Sequence, residues 1–312
     1  MVRFEHLQIY LILAITSLPL NCLAISQWTR GFCATAPPNE SLKTEFRRLN
    51  ALESQHDPTL NPESREAVTP IEIETWFHIV STEANAGQVS DEMISAQLSY
   101  IQNAYQNATI SYSLQGVTQQ INDAWARNED EMGMKNALRK GSYRTLNIYF
   151  QSDLKASPSA GSREADITQQ LASSVLGFCT LPDANINKTS PRSSYVKDGC
   201  NVLSQTMPGG NLDHYNRGGT AIHEIGHWNG LLHTFEGESC SPDNEGDYIS
   251  DTPQEGVPTD GCPSQKDSCP DRPGVDPIHN FMDYSSDECY ENFTPAQIKR
   301  MRSMWFSMRS GK

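Results

Sequence analysis

The feature that most constrains this 312-residue chain is the run His223-Glu224-Ile225-Gly226-His227-Trp228-Asn229-Gly230-Leu231-Leu232-His233. On a helix, His223 and His227 lie one turn apart on the same face, so two imidazoles can reach one zinc ion at about 2.0–2.1 Å. Glu224 stands beside them, close enough to reach a water at the ion without ligating it, which is the place of a general base in hydrolysis. His233 cannot join if the helix continues, because six residues at ~1.5 Å each would carry it about 9 Å along the axis. Gly230 resolves this, since glycine takes the left-handed conformation that ends a helix and lets the chain turn back. Three neutral imidazoles then leave a fourth position for water. The five-residue pattern alone arises by chance, but the third histidine, the glycine and the interleaved Ile222, Ile225 and Leu231 make coincidence a poor account.

Downstream, Asn280-Phe281-Met282-Asp283-Tyr284 fits the methionine turn that accompanies the extended motif, with Met282 as an apolar floor beneath the ligands. Tyr284 is a candidate phenolic donor to a developing oxyanion, with a structural hydrogen-bonded tyrosine as the alternative. His56, His214 and His279 lack such support and are assigned to surface or packing roles.

The N-terminus directs the chain to the secretory route. Arg3 precedes the apolar stretch Ile9 to Ile15, and the small-residue end Cys22-Leu23-Ala24 follows, so residues 1–24 read as a signal peptide. No later run approaches the roughly 20 apolar residues of a membrane span. The formal net charge of −14 and the lack of a Lys/Arg-rich block argue against nucleic-acid and membrane partners. Sequons at Asn39, Asn107, Asn187 and Asn292 are candidate glycosylation sites, the last weakened by Pro295. Removing Cys22 leaves Cys33, Cys179, Cys200, Cys240, Cys262, Cys269 and Cys289, of which six can pair. An oxidising compartment favours disulfides, and the absence of any Cys-x-x-Cys weighs against a structural zinc site.

Residues 25–67 read as a pro-segment with one helix around Leu42 to Leu52, and the ordered domain, residues 68–312, is expected to begin near Val68. Alternation over Ile71 to Ile79 predicts a strand in which His78 is a packed residue, and Ser90 opens a helix through Ile94, Leu98, Ile101 and Tyr105. Strands are expected at Ile110 to Val117, Thr145 to Phe150 and Cys200 to Gln205, with a short helix from Asp130 to Arg139. Beyond His233 periodicity disappears until Thr294, where Ile298, Met301 and Trp305 mark a closing helix.

With its long zinc motif, Asp251-Thr252-Pro253, the methionine turn, Asp287 and Cys289, the chain resembles the pappalysin family of metzincin zinc endopeptidases, which includes secreted fungal metalloproteases. The resemblance implies an α+β fold: a twisted, mixed five-stranded sheet with a backing helix and an active-site helix, above an irregular, disulfide-linked lower lobe. It implies a secreted, extracellular metalloendopeptidase with one catalytic zinc, acting on protein or peptide substrates and expected to be a monomer. A zinc-bound protein-binding module of weak catalysis is the rival that Glu224 argues against. It implies the pairs Cys240–Cys269, Cys262–Cys289 and, with these, Cys179–Cys200. The loop with Asp243, Asp247 and Asp251 resembles a calcium-binding segment of some relatives, against a merely solvated acidic loop. Cys33, left over in the leader, resembles a cysteine switch that ligates zinc until cleavage near Arg65, while pairing between chains or a different pairing within the chain is the other account. Asp287 and Glu288 follow the methionine turn, where the family walls the pocket for the residue after the cut, implying a preference for Arg or Lys unless both carboxylates face solvent.

Overall fold

The computed structural model describes residues 31–55, 69–156 and 175–312. The expected signal peptide, His56 and Arg65 lie outside them. Strand β2, Ile71–Ser81, alternates buried and exposed residues at first and is buried on both faces thereafter, as befits a strand that enters the middle of a covered sheet. It lies between β3, Ile110–Ile121, and β4, Leu146–Gln151, both parallel to it. Next comes β6, Cys200–Leu203, then β5, Val175–Cys179, the one antiparallel neighbour. These five strands belong to the expected domain. A sixth, β1 at Gly31–Cys33, comes from the segment expected to be a leader and runs parallel along β5, giving the order β1-β5-β6-β4-β2-β3.

The backing helix, Asp91–Tyr105, starts at Ser90, whose side chain accepts from the Met93 amide, and buries Ile94, Ile101 and Tyr105 against the sheet. The active-site helix, Gly219–Trp228, is buried along its whole length. One side packs Ile222, Ile225 and Trp228 into the main core with Phe77, Ile148 and Val202, and the Tyr105 hydroxyl donates to the Ile222 carbonyl at 2.8 Å. The closing helix, Pro295–Met304, begins with a capping box formed by Thr294 and Gln297 and has Pro295 in its first turn, the position where a missing N–H costs nothing. Among the described residues no helix is long and apolar enough to cross a membrane.

Two elements depart from the reading of the sequence. The helix expected around Leu42 to Leu52 is present as Glu40–Gln55, but order does not wait for Val68, because its Leu42, Phe46 and Leu49 pack on Leu232, Tyr248, Met304 and Met308. Three apolar residues at i, i+4 and i+7 suffice once a groove receives them, and a polar local composition does not reveal that groove. Glu53 fixes the far end through Arg300 at 3.0 Å, a pair with both side chains buried. The other element is β5, Val-Leu-Gly-Phe-Cys, which no alternation announces because all five residues are buried.

Between His233 and Thr294 the chain forms a lobe without regular helices or strands. Disulfides Cys240–Cys269 and Cys262–Cys289 cross-link it, while Cys179–Cys200 joins β5 to β6. Buried polar contacts add to them, notably Glu255, which accepts from Thr234 at 2.7 Å and pairs with Lys266 at 2.6 Å.

Candidate active site

The active-site helix ends where the chain requires it. Gly230 has φ 89°, its amide donates to the His227 carbonyl, and the Leu231 amide donates to the Gly226 carbonyl, a glycine C-cap that reverses the chain. The reversal brings His233 back, so that the Nε2 atom of His227 lies 3.2 Å from those of both His223 and His233. Two nitrogens each ~2.1 Å from a tetrahedral ion stand about 3.4 Å apart, so the cluster fits zinc. His223 Nδ1 lies 2.8 Å from the Phe281 carbonyl and His227 Nδ1 lies 2.9 Å from the Leu231 carbonyl. A carbonyl only accepts, so Nδ1 carries the proton in each and Nε2 keeps its lone pair for the metal. Burial, and then the neighbouring histidines, hold both pKa values well below the ordinary range, in the neutral form that ligates.

Cys33 completes the group. Its Sγ lies 3.5 Å from His227 Nε2, and its thiol and the three imidazoles form the one set of metal-ligating side chains gathered among the described residues. A sulfur at ~2.3 Å and a nitrogen at ~2.1 Å on a tetrahedral ion would be about 3.6 Å apart. The thiol also lies 3.6 Å from Glu224 Oε2, to which the Thr35 hydroxyl donates at 3.3 Å. Glu224 is fully buried, and burial raises its pKa to about 8. Its carboxylate packs over Gly177 of β5, where an added β-carbon would stand 2.7 Å from Oε1. Gly177 and Thr35 are thus site residues that the motif does not reveal.

Met282 is fully buried beneath the helix, and its Sδ would lie 2.3 Å from a β-carbon on Gly226. Tyr284 donates to the Cys33 carbonyl at 3.4 Å and faces His233 edge-on at 5.0 Å. Both ends of the helix are held by distant charges of the sign that complements its dipole. At the C-terminal end the Arg309 Nε donates to the Trp228 carbonyl at 3.2 Å, and Asp198 anchors that guanidinium at 3.0 Å. At the N-terminal end Asp287 Oδ2 accepts from the amides of Arg217 at 2.7 Å and Gly219 at 3.4 Å. Asp287 is 4% exposed; its Oδ2 anchors the start of the helix, while its Oδ1 is buried with no hydrogen-bond partner. Glu288 pairs with His214 at 2.9 Å on the surface.

The other expected sites are not gathered. Asp247 accepts from the Ile249 amide and the Thr252 hydroxyl, whereas Asp251 accepts from the Thr294 hydroxyl and the Ala296 amide, and with Asp243 they do not converge on one cation. His78 is a packed strand residue bonded to Thr118 and Asn147, and His279 meets the Cys289 carbonyl at 2.7 Å. Asn39, Asn107, Asn187 and Asn292 are all exposed.

A twisted mixed sheet, a helix bearing two histidines, a third ligand after a glycine turn and a methionine floor define a metzincin-type zinc peptidase. The family model described as pregnancy-associated plasma protein-A, a peptidase family, matches residues 183–305. An extracellular metalloprotease of Aspergillus oryzae is 67% identical over 319 residues, covering 100% of both chains. Another from Aspergillus fumigatus is 60% identical over 314 residues, covering 96% of this chain and 97% of its own. Among solved structures, a promirolysin variant from Tannerella forsythia superposes with a TM-score of 0.65 at 22% identity, over 90% of this chain and 95% of its own. Mature mirolysin with a cleaved peptide gives 0.57 at 24%, over 76% and 92%. The chain belongs to the pappalysin family of metalloendopeptidases.

Proposed function

We propose that the chain is exported through a signal peptide over residues 1–24, held latent by residues 25–67, and hydrolyses peptide bonds in extracellular proteins through residues 68–312 with a single zinc ion held by His223, His227 and His233. The observation that carries this reading is the convergence of three imidazole Nε2 atoms beside the buried carboxylate of Glu224. Zinc, when bound, polarises the scissile carbonyl and makes water more acidic. Glu224 takes a proton from the attacking water and returns it to the departing amine. Tyr284, whose hydroxyl here donates to the Cys33 carbonyl, turns to the oxyanion when the leader departs.

Cys33 supports latency because its sulfur stands where the fourth ligand belongs and Thr35 ties up Glu224. The parallel pairing of Gly31–Cys33 with β5 supports a leader that covers the metal site. The larger share of this chain matched by the promirolysin variant than by mature mirolysin agrees with a leader folded on its own domain. Glu224→Ala should lower hydrolysis by about 10³-fold or more while leaving one zinc per chain by elemental analysis. Substantial residual activity would remove Glu224 from the mechanism and favour the binding-module reading. Cys33→Ser should give a precursor that cleaves peptides or processes itself earlier than the parent with zinc unchanged, and an equally latent variant would leave steric blockage as the lock.

A further inference from the structure

We infer that Glu236 is a positioning residue for the metal: its carboxylate takes the Nδ1 proton of His233, orients that imidazole and makes it the most electron-rich of the three ligands. This rests on the zinc reading above and adds a residue to it. The three ligands are not held alike. His223 and His227 turn their Nδ1 atoms to backbone carbonyls, neutral acceptors fixed by the fold. Among the described residues His233 has no such carbonyl, and the acceptor at its Nδ1 is the Glu236 carboxylate, with Oε2 3.6 Å away. That is longer than a formed hydrogen bond, and the Glu236 side chain, 27% exposed, has room to close it. The Nε2 of His233 faces the Nε2 of His227, so Nδ1 is the nitrogen that carries the proton, and a donor meets an acceptor.

The approach is built into the chain that follows the ligand. The Glu236 amide donates to the His233 carbonyl at 3.1 Å, closing a turn that brings the carboxylate back to the ring. Inside that turn the Thr234 amide donates to the Met282 carbonyl at 3.2 Å, and its hydroxyl donates to buried Glu255 at 2.7 Å. Phe235, itself buried, lies on the His233 ring at 4.8 Å with 12° between the planes and meets Tyr284 edge-on at 4.6 Å. This stack fixes the plane of the imidazole, but it has no polar atom to choose which nitrogen points to the metal. A carboxylate makes that choice, because it holds the proton at Nδ1 and leaves the lone pair at Nε2. His233 needs such a partner more than the other two ligands, since it lies beyond the helix that aims them. A negative charge at Nδ1 also raises the basicity of the ring, and with it the hold on a cation.

The test measures zinc rather than turnover, by competition with a chromophoric chelator, on the full chain carrying Glu224→Ala so that it does not process itself. Glu236→Gln, which keeps the shape and removes the charge, and Glu236→Ala should each raise the zinc dissociation constant by about 10–100-fold over that parent. Glu238→Gln, which removes a charge from an exposed neighbour, should leave it unchanged. The melting midpoint of the metal-free chain should match the parent in all three, because Glu236 acts on the ligand and not on the lobe. Zinc held by Glu236→Gln as tightly as by the parent, a loss for Glu238→Gln as large as for Glu236→Gln, or a metal-free midpoint that falls as far as the zinc-loaded one each overturns the inference and leaves the zinc site standing. A parent that binds no zinc overturns both.

Discussion

The two halves of the site are ordered by different physics. The upper half, from β2 to the active-site helix, draws its order from backbone ladders and an apolar core in which Ile73, Phe77, Ile148 and Ile222 are at most 2% exposed. The lower half, from His233 to Thr294, has no regular element to satisfy its backbone, so disulfides and side-chain acceptors such as Asp247, Asp276 and Asp283 take that role. Each half contributes to one metal site: His223, Glu224 and His227 from the first, His233, Met282 and Tyr284 from the second. A lobe built on local side-chain bonds can vary its wall beside a fixed helix, at the cost of depending on single covalent and polar contacts.

Breaking the lower half covalently should have the largest effect on stability. Replacing Cys262 and Cys289 together by alanine opens a loop with a sequence separation of 27, worth roughly 3–4 kcal/mol in chain entropy. Thermal unfolding should show the loss, and an unchanged midpoint would mean that the lobe is ordered by packing after all. A smaller effect is expected at the seam between the halves. Gly226→Ala places a β-carbon 2.3 Å from Met282 Sδ, and overpacking of this kind costs about 1–3 kcal/mol. Met282→Ala in the same chain should recover part of it, because the collision is with that side chain. Additivity of the two changes in a double-mutant cycle would deny the contact.

The smallest effect sharpens the comparison through pH. Burial pushes the Asp247 carboxyl up to about 7, against an unfolded value of about 3.9. Between these values the folded state holds a proton that the unfolded state lacks, so this group's contribution to stability is complete at acid pH and is lost as pH rises through 7. Asp247→Asn should therefore gain on the parent as pH is raised from 4 to 8 in melting experiments. The opposite slope would mean that a cation such as calcium holds the carboxylate ionised.

The legibility of the chain follows the same division. His223, Glu224 and His227 were readable because a helix converts sequence spacing into direction, and His233 because Gly230 supplies the only cheap way to turn the chain there. β2, the backing helix and the closing helix were readable from periodicity and caps. Val175–Cys179 was not, since a strand buried on both faces carries no alternation.

What the sequence determined by itself was the chemistry: three imidazoles and a carboxylate at spacings that only a zinc site explains, set in a secreted chain with cysteines to pair. Tertiary structure alone decided which distant groups serve that chemistry. Asp287 follows the methionine turn, and its Oδ2 also anchors the amides of Arg217 and Gly219 at the start of the active-site helix, from 70 and 68 residues away. Arg309 holds the other end of the same helix, and a polar-looking N-terminal segment lays Phe32, Cys33 and Thr35 against Tyr284, His227 and Glu224. Spacing encodes direction only within one regular element, whereas the partner of a buried charge or an apolar face is chosen by where the folded chain brings a complementary surface, which no local pattern records.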